Sequence, residues 1–204
     1  MKQLAIVAVA AAGLAFSADE TTFHIGHHEK FINITFDSNA DIETIVGTTN
    51  KARGTVKADL EKGVGSVSLT VPVASLKTGI DMRDEHLRSD KWLDAEKFPE
   101  IKFASKKVEP VKDSKSKVKV TGEFTMHGVT KEVTVVVDWK ELPAEAVKKA
   151  QFPEGRWLKF STEFPVKLSD YGVAIPEGVG PKVSDTWTVK MTVFAGTAEI
   201  KEKK

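Results

Sequence analysis

The sequence predicts an all-β domain, an eight-stranded antiparallel barrel with a short helical lid between strands, on three observations. Roughly eight segments alternate apolar and polar side chains with period two, the pattern of strands that bury one face. One stretch, residues 79–98, interrupts that rhythm with helical spacing. The chain has 204 residues, 41% hydrophobic and 29% charged, which suits one domain with its own core and argues against disorder. Half-buried strands in a single small domain are best satisfied when the antiparallel sheet closes on itself, which also removes exposed edges. A flattened two-sheet sandwich would show the same alternation.

In chain order, Lys2 and the apolar run Leu4 to Phe16, too short to span a bilayer, lead to the small-x-small triplet Ala15-Phe16-Ser17. Residues 1–17 therefore read as a signal peptide, cut after Ser17 or Ala18, which leaves residues 18–204 as a single exported domain. An uncleaved anchor is the alternative. The periplasm of a diderm bacterium is the favoured compartment, and no transmembrane segment is expected in the mature chain. The sequence has no cysteine, which rules out lipid attachment at the cleavage site, a disulfide framework and thiol catalysis. Without Lys2 the 30 basic side chains become 29, equal to the 29 acidic ones, so the overall charge suggests neither nucleic acid nor an anionic membrane. Lys201 to Lys204 read as a solvated terminus.

Thr21 to Ile25 is a short strand candidate, followed by the histidine-rich run to Glu29. Ile32, Ile34 and Phe36 then alternate with polar neighbours. Residues 43–60 read as two strands broken near Asn50-Lys51, Glu61-Lys62-Gly63 as a turn, and Val67, Leu69, Val71 and Val73 as the next buried row. The lid spans Ser75 to Trp92, with Asp81 as N-cap, Asp84 in the capping-box position, and Met82, His86 and Leu87 along one side. Phe98-Pro99 stops it, and alternation resumes with Ile101 and Phe103. Val118, Val120, Gly122, Phe124 and Met126 share one face, His127-Gly128 forms a hairpin, and Val133, Val135, Val137 and Trp139 continue the pattern. Pro143 to Ala150 reads as a short helical insertion. Leu158 to Leu168 form another strand, Asp170 to Pro181 a long loop, and Trp187 to Val193 the last strand.

Two blocks carry a family resemblance. Asp84-Glu85-His86-Leu87-Arg88-Ser89-Asp90-Lys91-Trp92-Leu93-Asp94, followed by Phe98-Pro99-Glu100-Ile101-Lys102-Phe103-Ala104-Ser105, resembles the signature of the YceI-like family, the polyisoprenoid-binding relatives of lipocalins. Gly122 to Lys131 resembles that family's strand-turn-strand segment. The chain departs from the pattern around Phe31 to Ser38, where the family often carries a Ser and a later His, and at Leu168, where an arginine is common. The resemblance implies a lipocalin-like barrel whose lumen holds a long isoprenoid lipid of quinone or polyprenyl type, with transport rather than chemistry as its task. Some relatives are dimeric, so a homodimer is compatible with the resemblance, as is transient contact with membrane enzymes.

The inward rows mix flexible Met with aromatics, and a lid with its own apolar face closes one side, which together favour an open lumen over a solid core. The expected ligand-binding residues are Ile34, Phe36, Leu69, Val71, Phe103, Val120, Phe124, Met126, Phe160, Phe164 and Met191 from the strands. Met82, His86, Leu87 and Trp92 join them from the lid, with His86 weighed against a structural hydrogen bond. Arg83 and Arg88 could neutralise a pyrophosphate, but solvated arginines are the default, and Asp84 and Ser89 read as caps. His24, His27, His28 and Glu29 have zinc or copper ligand chemistry but lack a second cluster, so exposed loop histidines are expected rather than a metal site. His86, Ser89 and Asp94 contain the letters of a triad, but Gly63-Val64-Gly65-Ser66-Val67 lacks the last glycine of a nucleophile elbow, and no phosphate loop is present, so no enzyme is predicted. No cofactor is expected apart from the lipid itself. A general fatty-amphiphile binder and a solid-core exported interaction module are the alternatives.

Overall fold

The computed structural model describes residues 20–200; residues 1–19, which include the expected signal peptide, and the tail Lys201 to Lys204 lie outside the described residues. The elements are β1 (Thr21–Ile25), β2 (Asn33–Asn39), β3 (Thr44–Thr49), β4 (Arg53–Asp59), β5 (Val64–Pro72), α1 (Asp81–Arg88) and β6 (Glu100–Pro110). They continue with β7 (Lys117–Met126), β8 (Val129–Glu141), α2 (Ala144–Lys149), β9 (Trp157–Lys167) and β10 (Thr186–Gly196). All pairings are antiparallel, in the order β1-β4-β5-β6-β7-β8-β9-β10-β2-β3, and β1 also meets β10. Along its length β10 takes first β2, at Trp187 to Thr192, and then β1, at Ala195 and Gly196. On their other side β2 carries β3 and β1 carries β4. So β1 and β2 are two halves of one stave, and β3 and β4 two halves of the next. Ten strands thus make a closed eight-stave barrel, as the alternation predicts.

The local sequence explains where each stave turns or breaks. Residues 26–32, with a single 3₁₀ turn at Glu29–Phe31, separate β1 from β2, and Asn50 to Ala52 separate β3 from β4. His127 (φ 50°) and Gly128 (φ 75°) both take the left-handed conformation that a two-residue hairpin requires. Gly128 is needed a second time, because a Cβ there would stand 2.4 Å from the Phe98 ring. Opposite Phe36 the chain has Gly47, where a Cβ would lie 1.9 Å from the Phe36 Cζ; the phenyl group fills this space and stacks on Trp187 at 5.0 Å and 17°.

The connections divide the barrel into two ends. At one end lie the β2–β3, β5–β6, β7–β8 and β9–β10 links, including α1 and residues 168–185. Val73, Leu76, Leu87, Leu93, Leu168, Tyr171 and Val173 from these links are buried and continuous with the main core. We refer to it as the plug end. The opposite end has the β4–β5, β6–β7 and β8–β9 links and both ends of the described chain. There α2 packs Val147 with Phe152, Trp157, Phe31 and Phe194 into a separate aromatic cluster.

Candidate functional site: a hollow barrel lumen

Each stave sends alternate side chains inward, so the interior of the barrel is built almost entirely of carbon. In a solid barrel those side chains would be fully buried. Here Val133, Val135, Val137 and Trp139 on β8, Phe160 and Phe164 on β9, and Val189 and Met191 on β10 all line a cavity and keep part of their surface exposed to it. The lumen holds a cavity of about 200 Å³. That is somewhat more than the roughly 150 Å³ that takes one benzene and less than the roughly 300 to 1,000 Å³ of pockets for drug-sized ligands. Apolar cavities of this kind stay dry and accept hydrocarbon.

The cavity reaches the open end at the β4–β5 turn, where Asp59, Leu60, Gly63, Val64 and Ser66 form part of its wall. Pairing between β5 and β6 covers Ser68 to Pro72 only, and beyond it the Val67 N–H donates to Ser105 Oγ at 2.8 Å. A bulge in β6 at Ser105 to Lys107 shifts its register against β7. Polar groups on the wall are mostly engaged. Thr162 donates to the Val136 carbonyl at 2.8 Å, and Asp59 pairs with Lys62 at 2.6 Å. The hydrogen bond from the Lys62 side chain holds the Asp59 carboxyl below its ordinary pKa. The Trp187 indole N–H is buried without a partner among the described residues.

Eleven of the residues singled out in the sequence stand around this cavity: Ile34, Phe36, Leu69, Val71, Phe103, Val120, Phe124, Met126, Phe160, Phe164 and Met191. The four from the lid do not. Met82 is 67% exposed and His86 is exposed, because a helix of two turns has room for one buried stripe and Leu87 occupies it. Leu87 and Trp92 pack into the plug, behind the cavity wall rather than in it. Leu93 reaches the lumen instead. Sequence reasoning passed over Leu93 because it lies beyond the helix, in a turn without periodicity. Val133, Val135, Val137 and Trp139 stand in the alternation, but nothing in it marks them as cavity-lining, since Val rows look the same in a filled core.

The polar side chains of the lid segment tie it down. Ile80, not Asp81, occupies the N-cap, and Asp84 is buried, where its carboxylate accepts from both the N–H and the hydroxyl of Thr78 at 2.6 Å. Burial pushes the Asp84 pKa up, but the Thr78 hydrogen bonds with Arg88 and Lys77 nearby outweigh it and leave the carboxyl below its ordinary value. Arg83 donates to Glu43 at 2.9 Å and to Thr78, so it serves as a strut rather than a free cation. Ser89 sits at the C-cap and donates to the main-chain oxygen of His86 at 2.7 Å, not to its ring, so these two side chains do not form a nucleophile and base.

The histidine run is not an exposed loop. His27 Nε2 lies 2.5 Å from the Ala198 carbonyl and the ring meets Trp157 edge-on, while His28 stacks on Phe152 at 5.1 Å. Glu29 pairs with Lys51 and Arg53. Burial lowers the pKa of both His27 and His28. Among the described residues no group of three or more His, Asp or Glu side chains is placed to hold a metal ion.

A closed, up-and-down β-barrel of eight staves with a carbon-lined hollow centre belongs to the class of small barrels that can enclose one ligand. Within that class the chain belongs to the YceI-like domain family, whose model matches residues 23–195. It is 37% identical over 117 residues to a UPF0312 protein of Photorhabdus laumondii, an alignment covering 57% of this chain and 55% of that one. It is 30% identical over 164 residues to the protein YceI of Escherichia coli, covering 79% and 80% of the two chains. Among solved structures, BcnA of Burkholderia cenocepacia superposes with a TM-score of 0.69 at 24% identity over 83% of this chain and 99% of its own. A polyisoprenoid binding domain from Saccharophagus degradans, described as implicated in plant cell wall breakdown, gives a TM-score of 0.62 at 14% identity, covering 86% and 98%. Both structural likenesses establish the fold. Among the described residues no helix is long and apolar enough to cross a membrane.

Proposed function

We propose that this chain is a binding and carrier protein for a long-chain isoprenoid lipid, of quinone or polyprenyl type, which it holds in the barrel lumen and moves between membrane-bound enzymes without altering it. The observation that carries this reading is the row of inward valines and aromatics left partly uncovered inside a closed barrel. A neighbour of the same fold is described as a polyisoprenoid binding domain, which supports the ligand class. A cavity of about 200 Å³ has room for about eight carbons, worth about 6 kcal/mol at about 0.8 kcal/mol each. Ordering of the tail offsets a large part of it. Tight, slowly reversible retention of a long tail therefore requires the lumen to widen around it. The lumen offers carbon to the tail, so the polar head stays at the open end beside Asp59 and Ser66.

The reading includes export: residues 1–17 act as a signal peptide and the mature chain works in the periplasm. Two measurements test it. Organic extraction of protein purified from its own host, followed by mass spectrometry, is expected to yield one prenyl lipid; a fatty amphiphile in its place changes the cargo, and no lipid at all removes the carrier role. Terminal sequencing of the same sample is expected to begin at Ala18 or Asp19, and a retained Met1 overturns export.

A further inference from the structure

The overall charge is near neutral, but it is not evenly spread along the barrel. Residues 106–119, the β6–β7 hairpin at the open end, carry six lysines against two acids, Glu109 and Asp113. At the plug end the segments 39–44, 73–99 and 168–185 carry six basic and eleven acidic side chains. The hairpin stands at the mouth of the lumen: Val108 and Val118 at its base line the cavity, and a Cβ added at Gly63 in the β4–β5 turn would lie 3.2 Å from Pro110 Cγ. Lys112, Lys115 and Lys117 are exposed and form no ion pair among the described residues, whereas Lys107 is held by Glu109 at 2.8 Å. Beside them Val64, also on the cavity wall, is 41% exposed.

We propose that this rim is a docking surface for an anionic lipid bilayer, which receives the open end of the barrel face-on. Lysines within a Debye length of a negatively charged leaflet are drawn to it, while the acidic plug end is repelled, so the two charge patterns together select one orientation. In that orientation the mouth of the lumen meets the lipid, with Val64 at the interface. The purpose of such docking rests on the lipid-carrier reading, but the contact itself needs no cargo.

The test is co-sedimentation of the mature chain with vesicles rich in phosphatidylglycerol and with pure phosphatidylcholine vesicles, at low and high salt. Binding is expected to the anionic vesicles only, to fade at high salt, and to weaken at least about tenfold in K112E/K115E/K117E. K112Q/K115Q/K117Q, which introduces no new charge, is expected to fall in between and guards against a folding defect. Reversal at the plug end, E85K/E96K/E177K, is expected not to weaken binding. Equal binding to neutral vesicles, or binding unchanged in both hairpin variants, overturns the proposal. A chain that carries extracted lipid but ignores vesicles sinks the docking alone; an empty chain that binds them sinks the cargo alone.

Discussion

At the plug end Leu93, Leu168 and Val173 are each no more than 1% exposed, whereas Val133, Val135, Val137 and Trp139 further along the same barrel point inward and are still only half-buried. Both sets are apolar, inward and held on the same closed sheet. They differ in what meets them. The plug end has the twenty-seven residues 73–99 between β5 and β6 and another segment between β9 and β10 to fill its centre. The other end has short turns, and its one helical insertion packs Val147 into the separate aromatic cluster of Phe152 and Trp157. A barrel of eight staves lies at the size where side chains alone just fill it, so the connections decide which part is solid and which is hollow. Stability is concentrated where the connections enter, and capacity where they do not.

The sharpest way to break this contrast is to make equivalent truncations on both sides of it. Leu168→Ala, at a site that is 0% exposed, is expected to cost about 2–5 kcal/mol, read as a lower urea midpoint with an unchanged slope. Val137→Ala borders existing space and leaves no new enclosed void, so about 1 kcal/mol or less is expected. Equal losses would mean that the lumen is packed in solution.

Much of this architecture was legible because period two is a local property. The row Val118, Val120, Phe124, Met126 and the break near Asn50 needed no tertiary information, and both occur where the alternation places them. Three things were not legible. The joining of β1 to β2 as one stave is set by their shared partner β10, a contact across most of the chain. The plug role of the lid segment depends on Thr78 and Glu43, which hold Asp84 and Arg83 from outside the helix, so its spacing alone misassigned Met82 to the buried side. The partial exposure of Val137 is a matter of volume, and volume leaves no mark in an alternating pattern.

A second comparison uses polar groups. Asp84 anchors the plug, and Asp84→Ala leaves the Thr78 N–H without its acceptor in a buried site, so about 1–3 kcal/mol is expected to be lost. Because its folded pKa lies below the ordinary value, the Asp84 contribution is fully present above about pH 4 and is lost as pH falls through the folded value. Urea midpoints of wild type and D84A measured from neutral pH downwards are expected to converge in acid. Parallel curves would show that the carboxylate's charge is not what holds Thr78.

Filling the hollow half should disturb it less than emptying the solid half. Val137→Trp adds an indole to space that is already there, so the unfolding midpoint is expected to stay within about 1 kcal/mol of wild type while the extractable lipid drops by at least about tenfold. Unchanged lipid with an intact fold would place the cargo elsewhere.

The smallest effect belongs to the aromatic cluster at the open end, and it falls in a different pH window from the plug. Burial lowers the pKa of His27 and His28, so the folded chain keeps both rings neutral where the unfolded chain, at about 6.5, takes up protons. The unfolded state therefore binds more protons below about pH 6.5, and the stability of the cluster is complete above that pH and declines as pH falls through it. Titrating the urea midpoint between neutrality and about pH 5 is expected to show a shallow downward slope, absent in H27Q/H28Q. A slope that survives in the double variant would assign the effect to carboxylates and leave the histidines with only their stacking on Phe152 and Trp157.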